Sequence, residues 1–108
     1  VSNHGGRQRD GASSSINILP EISDTVGKLI EIHLDGGIRS GQDVVKAMCL
    51  GAKGTYIGRA FLYGLGALGK QGVTKALEII KTEADMTMAL CGKRDIKDLN
   101  KENLYLPK

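Results

Sequence analysis

Long apolar runs are missing from this sequence. No stretch approaches the ~20 consecutive apolar residues needed to cross a bilayer, and the first residues lack the basic-then-apolar layout of a secretion signal. Cysteine is scarce. Cys49 and Cys91 stand alone, with no Cys-x-x-Cys or Cys/His spacing around them, which argues against a zinc site and against a disulfide framework. Both lie in apolar, helix-patterned surroundings and are expected to be buried, inert thiols. A dominant charge is also lacking: 15 basic and 12 acidic residues leave a formal charge of +3, too mild and too scattered for a nucleic-acid surface. What is there is 108 residues, 41% hydrophobic and 25% charged, the composition of one soluble globular unit. The cytoplasm is its expected location. Glycine is plentiful, with 15 residues that fall just after apolar runs, where tight turns or close backbone approach need them.

Periodicity alternates between helix and strand. Ile16, Leu19, Ile22 and Val26 form a helical stripe over about Ser15 to Val26, stopped by Gly27. LIEIHLD (Leu29 to Asp35) sets Ile30, Ile32 and Leu34 against Glu31, His33 and Asp35, a strand pattern in which His33 is expected to be a hydrogen-bonded core residue. A helix is expected from about Gln42 to Leu50, with Ser40 near its start and Gly51 as its stop. GTYIG (Gly54 to Gly58) reads as a short strand, RAFLYGLGALG as a short helix interrupted by glycine, and Gly72 to Leu90 as a longer helix with Val73, Leu77, Ile80, Ala84 and Met88 on one face. The tail from Lys93 to Lys108 is expected to run over the surface. Such alternation implies an α/β unit of parallel strands joined by helical crossovers. With two strands and the end of a third, and with a start at Val1 directly before a motif, the chain is expected to be the last part of a larger domain. The apolar helix faces near Leu19, Val45 and Leu77 would then lack partner surface, and self-association is expected.

Three stretches carry chemistry, and each directly follows a strand. In a parallel barrel such strand ends share one rim, where the last loops commonly hold phosphate against a helix N-terminus. Gly36, Gly37 and Gly58 have no side chains, so their amides can approach an anion. Arg59 opens a helix whose N-terminus adds partial positive charge, and Arg39 and Arg59 can supply charge-assisted bonds to phosphate oxygens. Asp35 suits the hydroxyls of a sugar or ribityl chain. A flavin mononucleotide, FMN, meets this description. In VSNHGGRQRDG, His4 is the natural base near neutrality, and Arg7 offers a planar fork for a carboxylate, the competing use of Arg7 being a surface ion pair with Asp10.

SNHGGRQ, LDGGIRSGQDV and IGRAFLYGLGALGKQGV together resemble the closing segments of the FMN-dependent 2-hydroxy acid dehydrogenases and oxidases, the family of cytochrome-type L-lactate dehydrogenase, glycolate oxidase and mandelate dehydrogenase. IEIHLDGGIRSGQDV and MALCGKRDI are similar to the bacterial L-lactate dehydrogenase branch. The resemblance implies that residues 1–108 are the C-terminal part of a single FMN-binding (β/α)8 TIM barrel: the end of strand 6, then strands 7 and 8 with their helices. It implies His4 as the active-site base, Arg7 on the substrate carboxylate and Ser2 touching the flavin. Asp35 and Arg39 would hold the ribityl and phosphate region, with Gly36, Gly37, Gly58 and Arg59 around the phosphate and no metal. The reaction would oxidise an L-2-hydroxy acid, foremost L-lactate, to the 2-oxo acid. His4 serves equally to remove the hydroxyl proton or the α-proton first, and oxygen, a quinone or a cytochrome would each serve as electron acceptor. The resemblance further implies a homo-oligomer, peripheral contact with the inner membrane as a variant for the full-length protein, and no activity in the segment alone, since the family's other active-site residues come from earlier strands. One position departs from the family pattern: Arg9 follows Gln8 where leucine is usual.

Two other readings of the same residues stay open. One is a different phosphate-binding FMN barrel, such as a type 2 isopentenyl-diphosphate isomerase or an IMP dehydrogenase-like protein. The other is a non-catalytic remnant that binds anions or a partner through its open edges.

Overall fold

The computed structural model of the chain describes residues 1–105. Two short strands, β1 (His33–Asp35) and β2 (Gly54–Tyr56), pair in parallel with His33 opposite Gly54, Leu34 opposite Thr55 and Asp35 opposite Tyr56. Helix α1 (Ser15–Val26) precedes β1, α2 (Gly41–Cys49) forms the crossover between the strands, and α3 (Arg59–Leu90) follows β2. The other edge of β1 is also bonded. The Val1 nitrogen donates to the His33 carbonyl at 2.6 Å, and the Asp35 N–H donates to the Val1 carbonyl at 2.8 Å. An extended segment therefore does end just ahead of His4.

The strand expected over Leu29 to Asp35 forms only across its last three residues. Its first part is taken by a turn: the N–H groups of Leu29 and Ile30 both donate to the Val26 carbonyl, so they cap α1 and cannot enter a ladder. Leu29 and Ile30 are consequently exposed, while Ile32 and Leu34 are buried as the alternation requires. His33 corrects the expectation of a core residue. Leu34 is fully buried against the helices, and period-two alternation turns its neighbours His33 and Asp35 to the open side of the sheet. There the His33 side chain keeps 40% of its surface exposed.

Both expected α2 boundaries hold to within a residue. The Ser40 hydroxyl accepts from the Asp43 N–H while the Asp43 carboxylate accepts from the Ser40 N–H, a reciprocal capping box. Beyond the helix, Gly51 turns the chain with φ 105°. The two helices expected after β2 are the two arms of α3, separated at Leu68 and Gly69, where the backbone leaves helical geometry and the φ of Gly69 reaches 58°. The arms on either side of this break touch through backbone. A Cβ on Gly64 or on Gly72 would overlap the main chain of the other, so the glycines permit the crossing.

The core has two parts that meet at α2. On one side Leu19, Ile32, Leu34, Ile38, Ala47, Leu50 and Ala52 pack α1 and α2 on the sheet. On the other, Val45, Cys49, Ala84, Met88 and Leu99 join α2, α3 and the C-terminal segment. Leu19 and Val45 are thus covered, whereas Leu77 is 52% exposed; the α3 stripe meets the core only towards its C-terminal end. The segment after α3 makes two 3-10 turns, Ile96–Asp98 and Lys101–Asn103, and is anchored by buried Leu99. The last three residues of the expected surface tail lie outside the described residues. Cys49 is buried as expected, and burial, with the neighbouring Cys91 second, pushes its thiol up from the usual range. Cys91 is exposed, because α3 ends one residue earlier and the chain turns outward at Gly92.

The tightest helix contact is at Gly41. A Cβ there would overlap the α3 backbone at Ile80 and at Glu83 to Ala84, and the Gly41 N–H donates to the Glu83 carboxylate at 2.8 Å. Gly41→Ala is expected to lower the unfolding free energy by ~1–3 kcal/mol, as overpacking does. A urea midpoint equal to that of the unsubstituted chain would show that α2 and α3 do not approach so closely.

Candidate functional site

Because Val1, β1 and β2 run parallel and pair side by side, the loops that leave them emerge on one side of the sheet. The first loop holds a 3-10 turn, His4–Gly6, in which three successive residues have positive φ: His4 (53°), Gly5 (69°) and Gly6 (76°). Glycine adopts this region freely, whereas histidine does so rarely. His4 is the one non-glycine residue among the described residues with positive φ, a strained placement of the kind that clusters at functional sites.

The second loop follows Asp35. Gly36 and Gly37 have φ of 100° and 86°, and Ser40 and Arg39 are tied down by one carboxylate: Asp43 accepts from both backbone N–H groups at 3.0 Å. The third loop ends in Gly58, directly before the first turn of α3, where Arg59 stands.

These loops surround one cleft of about 380 Å³. His4, Arg7, Asp35, Gly36, Gly37, Arg39, Gly58 and Arg59 all line it. Ser2 is not among the lining residues, and its hydroxyl donates to the Asp35 carboxylate at 2.8 Å, which orients Asp35. Three arginines face one aspartate, so the cleft attracts anions. Among the described residues the His4 ring and the Arg7 guanidinium make no hydrogen bond or ion pair, and the alternative Arg7 pairing with Asp10 is absent. Arg9 is exposed, so its charge is not forced into the packing of the loop.

The residues fit a flavin phosphate. A Cβ on Gly37 or Gly58 would meet no protein atom within 4 Å, which leaves the space over these two backbones free for a ligand. The cations are within the same cleft, and guanidinium groups match phosphate geometry.

Sequence reasoning missed Tyr56, Gln8, Ile38 and Leu62, which also line the cleft. Tyr56 had a signal. It lies opposite Asp35 in the register, and directly opposed side chains of paired strands share a face. Its hydroxyl is 3.2 Å from His33 Nδ1, while His33 Nε2 is 3.7 Å from the Glu31 carboxylate. His33 therefore holds a wall of the cleft without lining it.

The family model described as FMN-dependent dehydrogenase matches residues 1–106. An L-lactate dehydrogenase of Caulobacter vibrioides is 52% identical over 100 residues, which cover 93% of this chain and 26% of that protein. The 2-hydroxyacid oxidase 1 of Homo sapiens is 48% identical over 101 residues, 94% of this chain and 27% of that one. Among solved structures, a monotopic membrane protein, (S)-mandelate dehydrogenase, superimposes with a TM-score of 0.91 at 42% identity, over 97% of this chain and 28% of the other. The chain spans about a quarter of the length of the curated relatives it matches.

Asp43 is the residue on which the second loop depends. Asp43→Ala removes the acceptor of the Arg39 and Ser40 amides together with half of the capping box, and is expected to cost ~0.5–2 kcal/mol of stability. An unchanged denaturation midpoint would show that the loop is held by something else.

Proposed function

The chain belongs to the FMN-dependent dehydrogenase family, and from that premise we propose that it supplies the closing rim of a (β/α)8 barrel enzyme that oxidises an L-2-hydroxy acid, L-lactate foremost, to the 2-oxo acid. FMN is the family's cofactor. When bound, it accepts the two electrons that leave the substrate. The observation that carries the reading is the convergence on one cleft of a base and a carboxylate-matching cation, His4 and Arg7, with the glycines and arginines of the two later loops.

Each residue then has a role. Arg7 pairs with the substrate carboxylate through two parallel N–H bonds and turns the substrate's C2 towards His4. His4 Nε2 or Nδ1, free of other partners, takes a proton from the substrate, an effect worth ~10²–10⁴-fold in rate when the base is well placed. Gly37, Gly58, Arg39 and Arg59 hold the phosphate. Asp35, oriented by the Ser2 hydroxyl, accepts from the ribityl hydroxyls. The pairing of a base with a carboxylate-matching arginine favours this over an isomerase or IMP dehydrogenase-like barrel, and the family match favours it over a non-catalytic remnant.

The same reading makes residues 1–108 alone inactive, since the His4 ring has no acidic partner among the described residues. It makes the full-length protein a cytoplasmic homo-oligomer. Peripheral attachment to the inner membrane is the variant supported by the monotopic (S)-mandelate dehydrogenase. No helix among the described residues is long and apolar enough to cross a membrane.

The test is anaerobic addition of L-lactate to the FMN-loaded full-length protein, with flavin bleaching expected. In that protein Arg7→Lys should raise KM and lower kcat/KM by on the order of 10-fold or more, because a bidentate contact becomes a point charge. Kinetics equal to the parent's would remove Arg7 from the substrate site. Arg59→Ala should instead weaken FMN retention while sparing turnover by the flavin-loaded fraction. Equal FMN affinity in variant and parent would sink the phosphate assignment.

A further inference from the structure

The Asn3 side chain makes two hydrogen bonds within the first loop, as many as Ser2 Oγ makes with the Asp35 carboxylate and the His4 N–H, yet it lines no cleft and performs no step above. Its Oδ1 accepts from the Gly5 N–H at 3.1 Å, its Nδ2 donates to the Ser13 carbonyl at 2.8 Å, and its own carbonyl accepts from the Gly6 N–H at 2.9 Å. One carboxamide thus caps the turn that contains His4 and closes the loop from its first residue to its last. The closed loop is also seated on the second one. Asn3 Oδ1 would lie 3.6 Å from a Cβ on Gly36, and buried Ser15 donates its hydroxyl to the Gly36 carbonyl at 3.3 Å.

From this we propose that Asn3 is the positioning residue of the site: it locks His4 in its left-handed conformation and fixes the His4 and Arg7 loop against the Gly36 and Gly37 loop. The inference rests on the role given to His4 above. Physically, a lone left-handed histidine persists only when its surroundings over-determine it. The bonds to Gly5 and Gly6 sit on the residues that directly follow it, and the bond to Ser13 removes the freedom of the loop's far end. The phosphate loop keeps braces of its own, Ser15 on the Gly36 carbonyl and Asp43 on the Arg39 and Ser40 amides, so it should shift less than the His4 loop when the carboxamide is removed.

The test uses Asn3→Ala and Asn3→Asp in the FMN-loaded full-length protein. Asn3→Asp keeps an acceptor for the Gly5 N–H but loses the donor to Ser13. Asn3→Ala is expected to lower kcat/KM by on the order of 10-fold or more while FMN affinity changes much less, and to speed hydrogen exchange of the Gly5 amide by on the order of 10-fold, the equivalent of one lost cap bond, whereas the Gly6 amide keeps its acceptor, the backbone carbonyl of residue 3. Asn3→Asp should recover the Gly5 protection and part of kcat. If activity, FMN affinity and melting temperature all fall in proportion, Asn3 is only a stability residue and the proposal is overturned. Parent-like kinetics with parent-like exchange would overturn it as well. A parent protein that oxidises no 2-hydroxy acid would refute the functional reading instead, and the amide exchange would then decide by itself whether the lock exists.

Discussion

Asp35 donates its backbone N–H to Val1 on one edge of β1, and on the other edge the strand pairs with β2 in a register that sets Asp35 opposite Tyr56. Parallel pairing runs all three segments in one direction, so they finish together, and the loops that follow have one rim to occupy. Every residue of the cleft owes its position to that arrangement. His4 and Arg7 follow the first segment, Gly36, Gly37 and Arg39 the second, and Gly58 and Arg59 the third. A one-residue slip of β1 would invert its faces, and Asp35 would point into the apolar layer now filled by Leu34.

On this rim the backbone shapes the cleft as much as the side chains do. A Cβ on Gly37 or Gly58 would meet no protein atom within 4 Å, and the positive φ of Gly36 and Gly37 turns the chain along the edge of the cleft. Such loops have little stability of their own, and carboxylates and amides brace them from outside the cleft. Asp43 gathers the amides of Arg39 and Ser40, Ser2 orients Asp35, and Asn3 closes the histidine loop. Charge and bracing are thereby separated: the arginines of the cleft make no ion pair among the described residues, while Asp35 and Asp43 are engaged with hydroxyl and N–H groups.

Much of this is legible in the amino-acid order. The stripe from Ile16 to Val26, the Ser40 cap, the Gly51 stop and the glycine break near Gly69 are contained within one or two helical turns, and they form almost where the pattern puts them. The motif residues can be read for the same reason, since His4 and Arg7, or Gly37 and Arg39, share a single short loop. Residues 29 to 32 cannot. Their alternation suits a strand, but the Val26 carbonyl captures the amides of Leu29 and Ile30, and periodicity says nothing about which acceptor a given N–H will find. Cys91 misleads in a similar way, because apolar neighbours in sequence do not place a residue beyond a helix end inside the core.

Local conformation follows from the chain's own order of residues: helix extents, caps, the left-handed glycines, and the residue types able to bind phosphate, carboxylate and proton. Those depend on hydrogen bonds and steric limits that span four or five residues, so a linear reading captures them. Packing across the whole chain was needed to bring the three loops to one cleft, to turn His33 to the open side where it holds Tyr56, and to set Gly64 against Gly72 across the break in α3. It also placed Ser2 to brace Asp35 from a distance of 33 residues in the chain. Each of these is set by which strand edges and helix backbones come together, a choice made by pairing register and burial across segments far apart in sequence.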